Sequence, residues 1–240
     1  MCDSLFNLFI IVMETVIITG TNRGIGFELT KQFLQAGFHV IATCRNPEAA
    51  SDLNNLANDG NLSIFQLDVT SDESVSDFFT SLSGKVVDIL INNAGIIGGD
   101  SQDIYNMDYK AWIQAFEVNT LAPFRLSAAL IPNLKLAKRP RIVTVSSQMG
   151  SLNRKSTGSY AYRSSKAAVN KVMQVLSAEL IDDGIIVCPV HPGWVQTDMG
   201  GQNAEITPHE SASGLFELIN SLTMEHSGRF WTWQGEEHLW

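Results

Sequence analysis

An α/β fold, a parallel sheet covered by helices on both faces, is what this sequence predicts. Three observations carry the expectation. Short β-branched runs alternate with segments whose apolar residues recur at helical spacing. A turn containing Gly20, Gly24 and Gly26 joins the first such run to the first such helix. The chain has 240 residues, 45% of them hydrophobic, enough for one sizeable core. Its mean hydropathy of +0.04 matches neither a disordered nor a membrane class.

The elements follow in order. Residues 16–19 form a β-branched run that stops at Gly20, and Ile25, Leu29 and Phe33 then lie on one face of a helix over 25–36. Residues 39–43 read as the second strand, and 47–57 as a helix capped by Asn46. The third strand, 62–67, stops at Asp68. Ser71, Ser74 and an acidic first turn start a helix that runs to about Leu82. A fourth strand covers 86–91, and a long helix is expected over about 108–136. A strand at 141–146, a helix at about 159–181, a strand at 185–190, a helix at 210–222 and a short last strand at 229–233 complete the chain. Parallel strands with helical crossovers are buried on both faces. No internal linker, repeat or low-complexity stretch interrupts this rhythm. Residues 13–240 therefore read as a single domain, and 1–12 as an extension outside the fold.

The glycine turn reads Thr19-Gly20-Thr21-Asn22-Arg23-Gly24-Ile25-Gly26. Glycines let a pyrophosphate approach the main chain, and the helix start behind them offers free N–H groups and a positive dipole end. Placement between a strand and an amphipathic helix makes this a dinucleotide site in a Rossmann-like, doubly wound sheet. An acid about 20 residues beyond the glycines would select NAD. Here the second strand ends Ala42-Thr43-Cys44-Arg45-Asn46, with no acid before Glu48. Arg45, with Arg23, can pair with a 2′-phosphate, so the expected cofactor is NADP(H).

Tyr162 and Lys166 lie four residues apart, about one helical turn, so their side chains leave one helix face. A tyrosine ordinarily ionises near pH 10, and a neighbouring ammonium is expected to lower that value towards a usable proton donor and acceptor. Tyr160, two residues earlier, points to roughly the opposite side. A proton device joined to a hydride carrier implies carbonyl–alcohol redox chemistry.

The glycine turn, Asn92-Asn93-Ala94-Gly95, Ser146-Ser147, Tyr162-x-x-x-Lys166 and Pro192-Gly193 occur in that order. Together they resemble the short-chain dehydrogenase/reductase family over residues 14 to about 200. Ser159-Tyr160-Ala161-Tyr162-Arg163, the run from His191 to Met199 and Trp240 resemble the Sniffer and C-factor-like carbonyl reductases within it. The resemblance implies that Tyr162 gives a proton to the carbonyl oxygen and that Lys166 lowers its pKa and binds the nicotinamide ribose. It implies that Ser147 hydrogen-bonds the substrate oxygen. Asn119 would position Lys166 through water and relay protons. Asp68 and Val69 would meet adenine. Asn93, Ala94 and Gly95 would lie beside the cofactor, and Pro192, Gly193, Val195 and Thr197 against nicotinamide. Ser146 is the alternative to Ser147, because the stretch to Tyr162 is longer than the family usually has, and adjacent strand residues face opposite ways. His191 is read as structural.

Ile97, Gln148, Met149, Trp194 and Met199 are the expected pocket lining, suited to a small apolar ketone, aldehyde or quinone, with 200–207 as a lid. A homodimer through the two long helices is an assembly the family often uses. A catalytically silent nucleotide-binding scaffold is the competing reading, which the joint presence of Asn119, Ser147, Tyr162 and Lys166 opposes.

A net charge of −9 disfavours nucleic acid as a partner. Cys2, Cys44 and Cys188 show no metal-ligand spacing and no disulfide framework, which favours a reducing, cytoplasmic setting. Residues 5–13 are apolar except for Asn7 but far shorter than the roughly 20 residues of a spanning helix, and no basic segment precedes them. Stable membrane insertion is not expected. An alternative start, a tail or an interaction segment are the readings of 1–12.

Overall fold

The computed structural model describes residues 13–57 and 60–240. The extension read over 1–12 lies outside the described residues.

Seven strands form one sheet in the order β3-β2-β1-β4-β5-β6-β7. They are β1 (Thr15–Thr19), β2 (His39–Cys44), β3 (Leu62–Gln66), β4 (Ile89–Asn92), β5 (Arg141–Val145), β6 (Ile186–His191) and β7 (Trp231–Thr232). Every neighbouring pair runs parallel. The helices are α1 (Gly24–Gln35), α2 (Ser51–Asn55), α3 (Asp72–Ser81), α4 (Tyr109–Phe116), α5 (Ala122–Leu134), α6 (Tyr160–Glu179) and α7 (Pro208–Ser221). This is the expected Rossmann-like α/β architecture.

Alternation along the strands divides the core. Val16, Ile18, Ile89, Ile91, Val143 and Val145 point to the side covered by α1 and α7, where Leu29, Phe33, Leu215 and Ile219 pack. Ile17, Leu90 and Ile142 point to the other side, where Val75, Phe78, Leu126, Leu130, Val169 and Met173 close the second layer. Both layers are fully buried, so the strands read as continuous apolar runs rather than alternating ones. β1 sits beside both β2 and β4, so the strand order reverses there, the place where ligands of doubly wound sheets bind, beyond the strands' carboxyl ends.

Several elements differ from their sequence reading. The helix expected over 47–57 shrinks to α2. Asn46 accepts only from the Ala49 N–H at 3.4 Å, and the Asn54 amide donates to the Pro47 carbonyl, so the approach to α2 is a turn. The long helix expected over 108–136 is interrupted by one turn of π-helix, Glu117–Leu121, between α4 and α5. The last strand contracts to two residues. Among the described residues no helix is long and apolar enough to cross a membrane.

Candidate active site

The glycine turn is pinned to the sheet from two sides. The N–H groups of Gly20 and Thr21 donate to the Thr43 carbonyl at 2.9 and 3.1 Å. Asn93 donates through Nδ2 to the carbonyls of Thr19 (2.8 Å) and Gly20 (3.1 Å). The Thr19 hydroxyl accepts from the N–H groups of Asn93 and Ala94, both at 3.0 Å. Asn93–Gly95 therefore buttresses the turn, as its position after β4 demanded.

Gly20 adopts φ +69°, and a Cβ on Gly26 would stand 2.5 Å from Asn93 Nδ2 and against the Gly20 carbonyl. Only bare backbone fits, which brings the start of α1 close under the turn. That glycine cradle fits a dinucleotide pyrophosphate. Around it, Asn22, Arg23 and Arg45 are exposed, Gly24 and Ile25 half-buried. Arg23 pairs with Asp198 at 2.6 Å, which brings the turn against the segment after β6. The Asp68 carboxylate accepts from the Thr70 N–H and hydroxyl at 2.9 and 2.7 Å, and these bonds hold its pKa below the usual range. Val69 is buried beside it, its carbonyl accepting from Arg125 at 3.1 Å.

Pro192 and Gly193 follow β6. The Pro192 carbonyl accepts from the Ser211 hydroxyl at 2.6 Å. Val195 is buried and bridges to Ile206. The Thr197 hydroxyl accepts from the Gly200 N–H at 3.1 Å, and Trp194 Nε1 donates to the Gly200 carbonyl at 2.8 Å. These bonds fold 194–200 into a closed loop. Gly24 lies close to Thr197, at 3.3 Å from a Cβ built on it to Cγ2.

The other half of the site belongs to β5 and α6. Ser146 and Ser147 lie just past the end of β5 and engage different partners. The Ser146 hydroxyl bonds Asn170 at 2.5 Å, inside the packing of α6. The Ser147 oxygen accepts from the Met149 N–H at 3.1 Å, and Ser147 stands near enough to the Tyr162 phenol to hold its pKa down against burial. The structure thus brings Ser147, not Ser146, to the tyrosine. The extra length between them is absorbed by the loop over 151–159, which ends on Gly158 at φ +70° and Ser159 at φ +54°.

Lys166 is buried at 4% exposure. Its ammonium donates to the Val145 carbonyl at 2.8 Å and lies 5.8 Å from the centre of the Tyr162 ring. Desolvation lowers its pKa to about 8. The Tyr162 pKa is raised by burial, with the Ser147 hydrogen bond pulling it back. This corrects the expectation of a phenol already lowered by its lysine. In the protein alone, burial opposes charge on both groups, and the ammonium is directed at a carbonyl rather than at the phenol oxygen.

Asn119 sits in the π-turn, a distortion frequent at functional sites. Its Oδ1 accepts from the Ile96 N–H at 2.9 Å, and its Nδ2 donates to the Ile96 carbonyl (2.8 Å) and to Ser165 (3.0 Å). Asn119 thus ties the segment following Gly95 to α6. Gly95 leaves space between Asn119 Oδ1 and Lys166 Nζ, at 3.2 and 3.5 Å from a Cβ built there.

His191 Nδ1 is buried without a partner among the described residues, and burial lowers its pKa to about 4, so the ring is neutral and structural. Tyr160 is exposed and packs against Trp112, away from Ser147. Among the expected lining residues, Ile97, Trp194 and Met199 expose 42 to 45% of their surface, and Gln148 and Met149 are half-buried. Three contributors escaped the sequence reading: Thr19, whose hydroxyl serves two N–H groups, Asp198, which engages Arg23, and Gln102, which bonds the Tyr162 N–H. Thr19 opens the quoted glycine motif and Asp198 lies in the quoted run from His191 to Met199, neither with a role assigned, but no sequence signal marks Gln102.

The family model for short chain dehydrogenases matches residues 14–207. Among solved structures, an NADPH-bound carbonyl reductase from chicken fatty liver superimposes with TM-score 0.89 at 34% identity, covering 95% of this chain and 99% of that one. The carbonyl reductase Sniffer of D. melanogaster superimposes with TM-score 0.89 at 33% identity, covering 95% and 100%. The C-signal protein of Myxococcus xanthus is 41% identical over 169 residues, 68% of this chain and 98% of its own. These findings bear out the resemblance drawn from the five motifs.

Proposed function

The chain belongs to the short-chain dehydrogenase family, and from that premise we propose that it is an NADP(H)-dependent oxidoreductase reducing small apolar carbonyl compounds, with Tyr162 as the proton donor. The observation that carries this reading is the convergence of Ser147, Tyr162 and Lys166 beyond the carboxyl ends of β4 and β5, beside the glycine cradle. NADPH bound to the similar carbonyl reductase from chicken fatty liver supports the cofactor assignment.

The residues suited to hold the dinucleotide are Gly20, Asn22, Gly24, Ile25 and Gly26 at the pyrophosphate and Asp68 and Val69 at adenine. Asn93, Ala94 and Gly95 suit the middle, and Pro192, Gly193, Val195 and Thr197 the nicotinamide. Arg45 and Arg23 supply the positive charge for a 2′-phosphate. The Arg23–Asp198 pair is exposed and therefore weak, so a phosphate can compete for the guanidinium. When bound, the nicotinamide supplies a hydride to the carbonyl carbon.

The chain's own residues manage the oxygen. Ser147 donates a hydrogen bond to it and stabilises the charge that develops there. Tyr162 delivers a proton to it, completing the alcohol. The Lys166 ammonium, kept from bulk water, stabilises the phenolate left behind. Asn119 holds the Ile96 backbone and α6 at a fixed separation, which sets Lys166 opposite Gly95. Ile97, Met149, Trp194 and Met199 offer an apolar approach for a ketone, aldehyde or quinone, and the segment 200–207 covers it. The setting we propose is cytoplasmic.

A homodimer is proposed through the two long helical stretches, α4 to α5, where Tyr109, Ile113, Leu121 and Phe124 are exposed, and α6, where Val175 is exposed. NADPH oxidation against a panel of aldehydes, ketones and quinones tests the reading. Turnover with several members is expected; nucleotide binding with no turnover of any member would favour the silent scaffold.

A further inference from the structure

Helix α6 carries both Tyr162 and Lys166, yet its start has no cap of its own. Ser159 occupies the N-cap in the left-handed region, at φ 54°, and makes no side-chain capping bond. The first N–H groups of a helix have no partner within it and require one elsewhere. For Tyr162 that partner comes from 60 residues earlier: its N–H donates to Gln102 Oε1 at 3.0 Å.

The other end of the same amide is also committed. Gln102 Nε2 donates to the Ile97 carbonyl at 2.9 Å and to the Gly99 carbonyl at 2.8 Å. The side chain is 9% exposed, with its oxygen and both amide hydrogens engaged. A buried primary amide is costly unless bonded, and glutamine is seldom found inside, so its use here demands a geometric reason.

The frame around Gln102 is stiff. Its backbone bridges antiparallel to Met107. Asp103 Oδ1 accepts from the N–H groups of Tyr105 and Asn106 at 2.8 and 3.0 Å, closing the intervening turn. Gly98 is wedged between α4 and α6: a Cβ there would stand 2.9 Å from Ala115 Cβ and 3.0 Å from Ala161 Cβ. Asn119 fixes the preceding residue, Ile96. One amide therefore connects the rigid pocket wall at Ile97 to the first turn of α6 at the residue whose phenol meets Ser147.

We propose that Gln102 is a positioning residue for Tyr162: its carbonyl oxygen fixes the height and rotation of the first turn of α6, and its amide nitrogen ties that turn to the pocket wall at Ile97. The proposal rests on the reading of Tyr162 as proton donor. A loop staple alone would not need its oxygen on the Tyr162 N–H. A displacement of about 1 Å in a reacting group can cost about a hundredfold in rate, so loss of this bond acts on turnover before it acts on cofactor binding.

The test compares the full-length wild type, Gln102→Leu, Gln102→Glu and Tyr162→Phe. The glutamate keeps an acceptor for the Tyr162 N–H and gives up the paired donation to Ile97 and Gly99. Carbonyl reduction, NADPH affinity by fluorescence titration, and amide hydrogen exchange across 160–166 are measured on each. The proposal expects Gln102→Leu to lose about tenfold or more in kcat. NADPH affinity should change by less than about twofold, and the first turn of α6 should exchange faster. Gln102→Glu keeps the acceptor but loses the tie to Ile97 and Gly99, so its kcat should fall about threefold to tenfold, with the Tyr162 N–H still protected. A kcat for Gln102→Leu within about twofold of wild type would overturn the proposal. So would kcat and NADPH affinity falling in parallel, which marks a general structural role. Should Gln102→Leu fail to fold, Gln102→Glu decides: a lowered kcat at unchanged NADPH affinity supports the proposal, and a kcat equal to wild type overturns it. If the wild type reduces no carbonyl, the functional reading fails. The exchange data still report whether Gln102 holds the Tyr162 N–H, so the two failures are distinguishable.

Discussion

The Lys166 ammonium donates to the carbonyl of Val145 at 2.8 Å, so the cation beside Tyr162 is anchored to the end of β5 rather than to the phenol. Its charge is held in a water-poor site, where it acts over distance on whatever negative charge forms nearby. The same burial makes the cation easier to lose, with a pKa of about 8.

A pH profile follows from this. Carbonyl reduction needs the phenol protonated and the ammonium charged. Burial raises the Tyr162 pKa, so the lysine loses its proton first. The kcat/KM for reduction is expected to be flat through neutrality and to fall above about pH 8. A profile still flat at pH 10 would contradict the assigned role of Lys166.

Stability should show the same group with the opposite sign. The Lys166 pKa is depressed from 10.5 to about 8 on folding, so below pH 8 its charge opposes the folded state. Between about pH 8 and 10.5 the unfolded chain binds more protons, and stability rises with pH. The penalty removed is roughly 3 kcal/mol at about 1.4 kcal/mol per pKa unit. Lys166→Met lacks this term. Denaturant unfolding should therefore show wild type gaining on Lys166→Met across that window, with the gap unchanged below it.

Ser146 and Ser147 should separate cleanly. Ser147→Ala is expected to lower kcat by roughly a hundredfold, the usual effect of deleting one donor to a developing oxyanion. Ser146→Ala removes a buried bond to Asn170 and should lower stability by about 1 kcal/mol with kcat nearly unchanged. Steady-state kinetics and unfolding on both variants check this, and the reverse pattern would exchange their roles.

Gly26→Ala tests the cradle. A Cβ there meets the Gly20 backbone carbonyl, which cannot swing aside, and stands 2.5 Å from Asn93 Nδ2, whose bonds to the Thr19 and Gly20 carbonyls it would disturb. Overpacking of this kind costs about 1–3 kcal/mol. The variant should lose NADPH affinity by about tenfold or more in a fluorescence titration, whereas Gly37→Ala, strained by its φ of +83° but with nothing within 4 Å of the added methyl, should lower stability and leave the affinity unchanged.

Much of this site was legible in the order of residues. A strand, a glycine turn and an amphipathic helix are local patterns, and their alternation dictated the parallel sheet. Adjacent serines on a strand must face apart, which posed the Ser146–Ser147 choice before any coordinates answered it. Burial was not legible: the four-residue spacing of Tyr162 and Lys166 suggested a lowered phenol, but the desolvation that raises it comes from elements distant in sequence. The π-turn at Glu117–Leu121 was hidden because one extra residue in a turn leaves the apolar periodicity on either side intact. Gln102 lies in a polar stretch without periodicity, and its partner is 60 residues away.

The most direct measurement of the central claim is NADPH oxidation by wild type and Tyr162→Phe with the best carbonyl substrate from the panel, alongside NADPH affinity for each. The account predicts a loss of turnover of about a hundredfold or more in the phenylalanine variant with cofactor affinity intact. Equal turnover by the two proteins would contradict it.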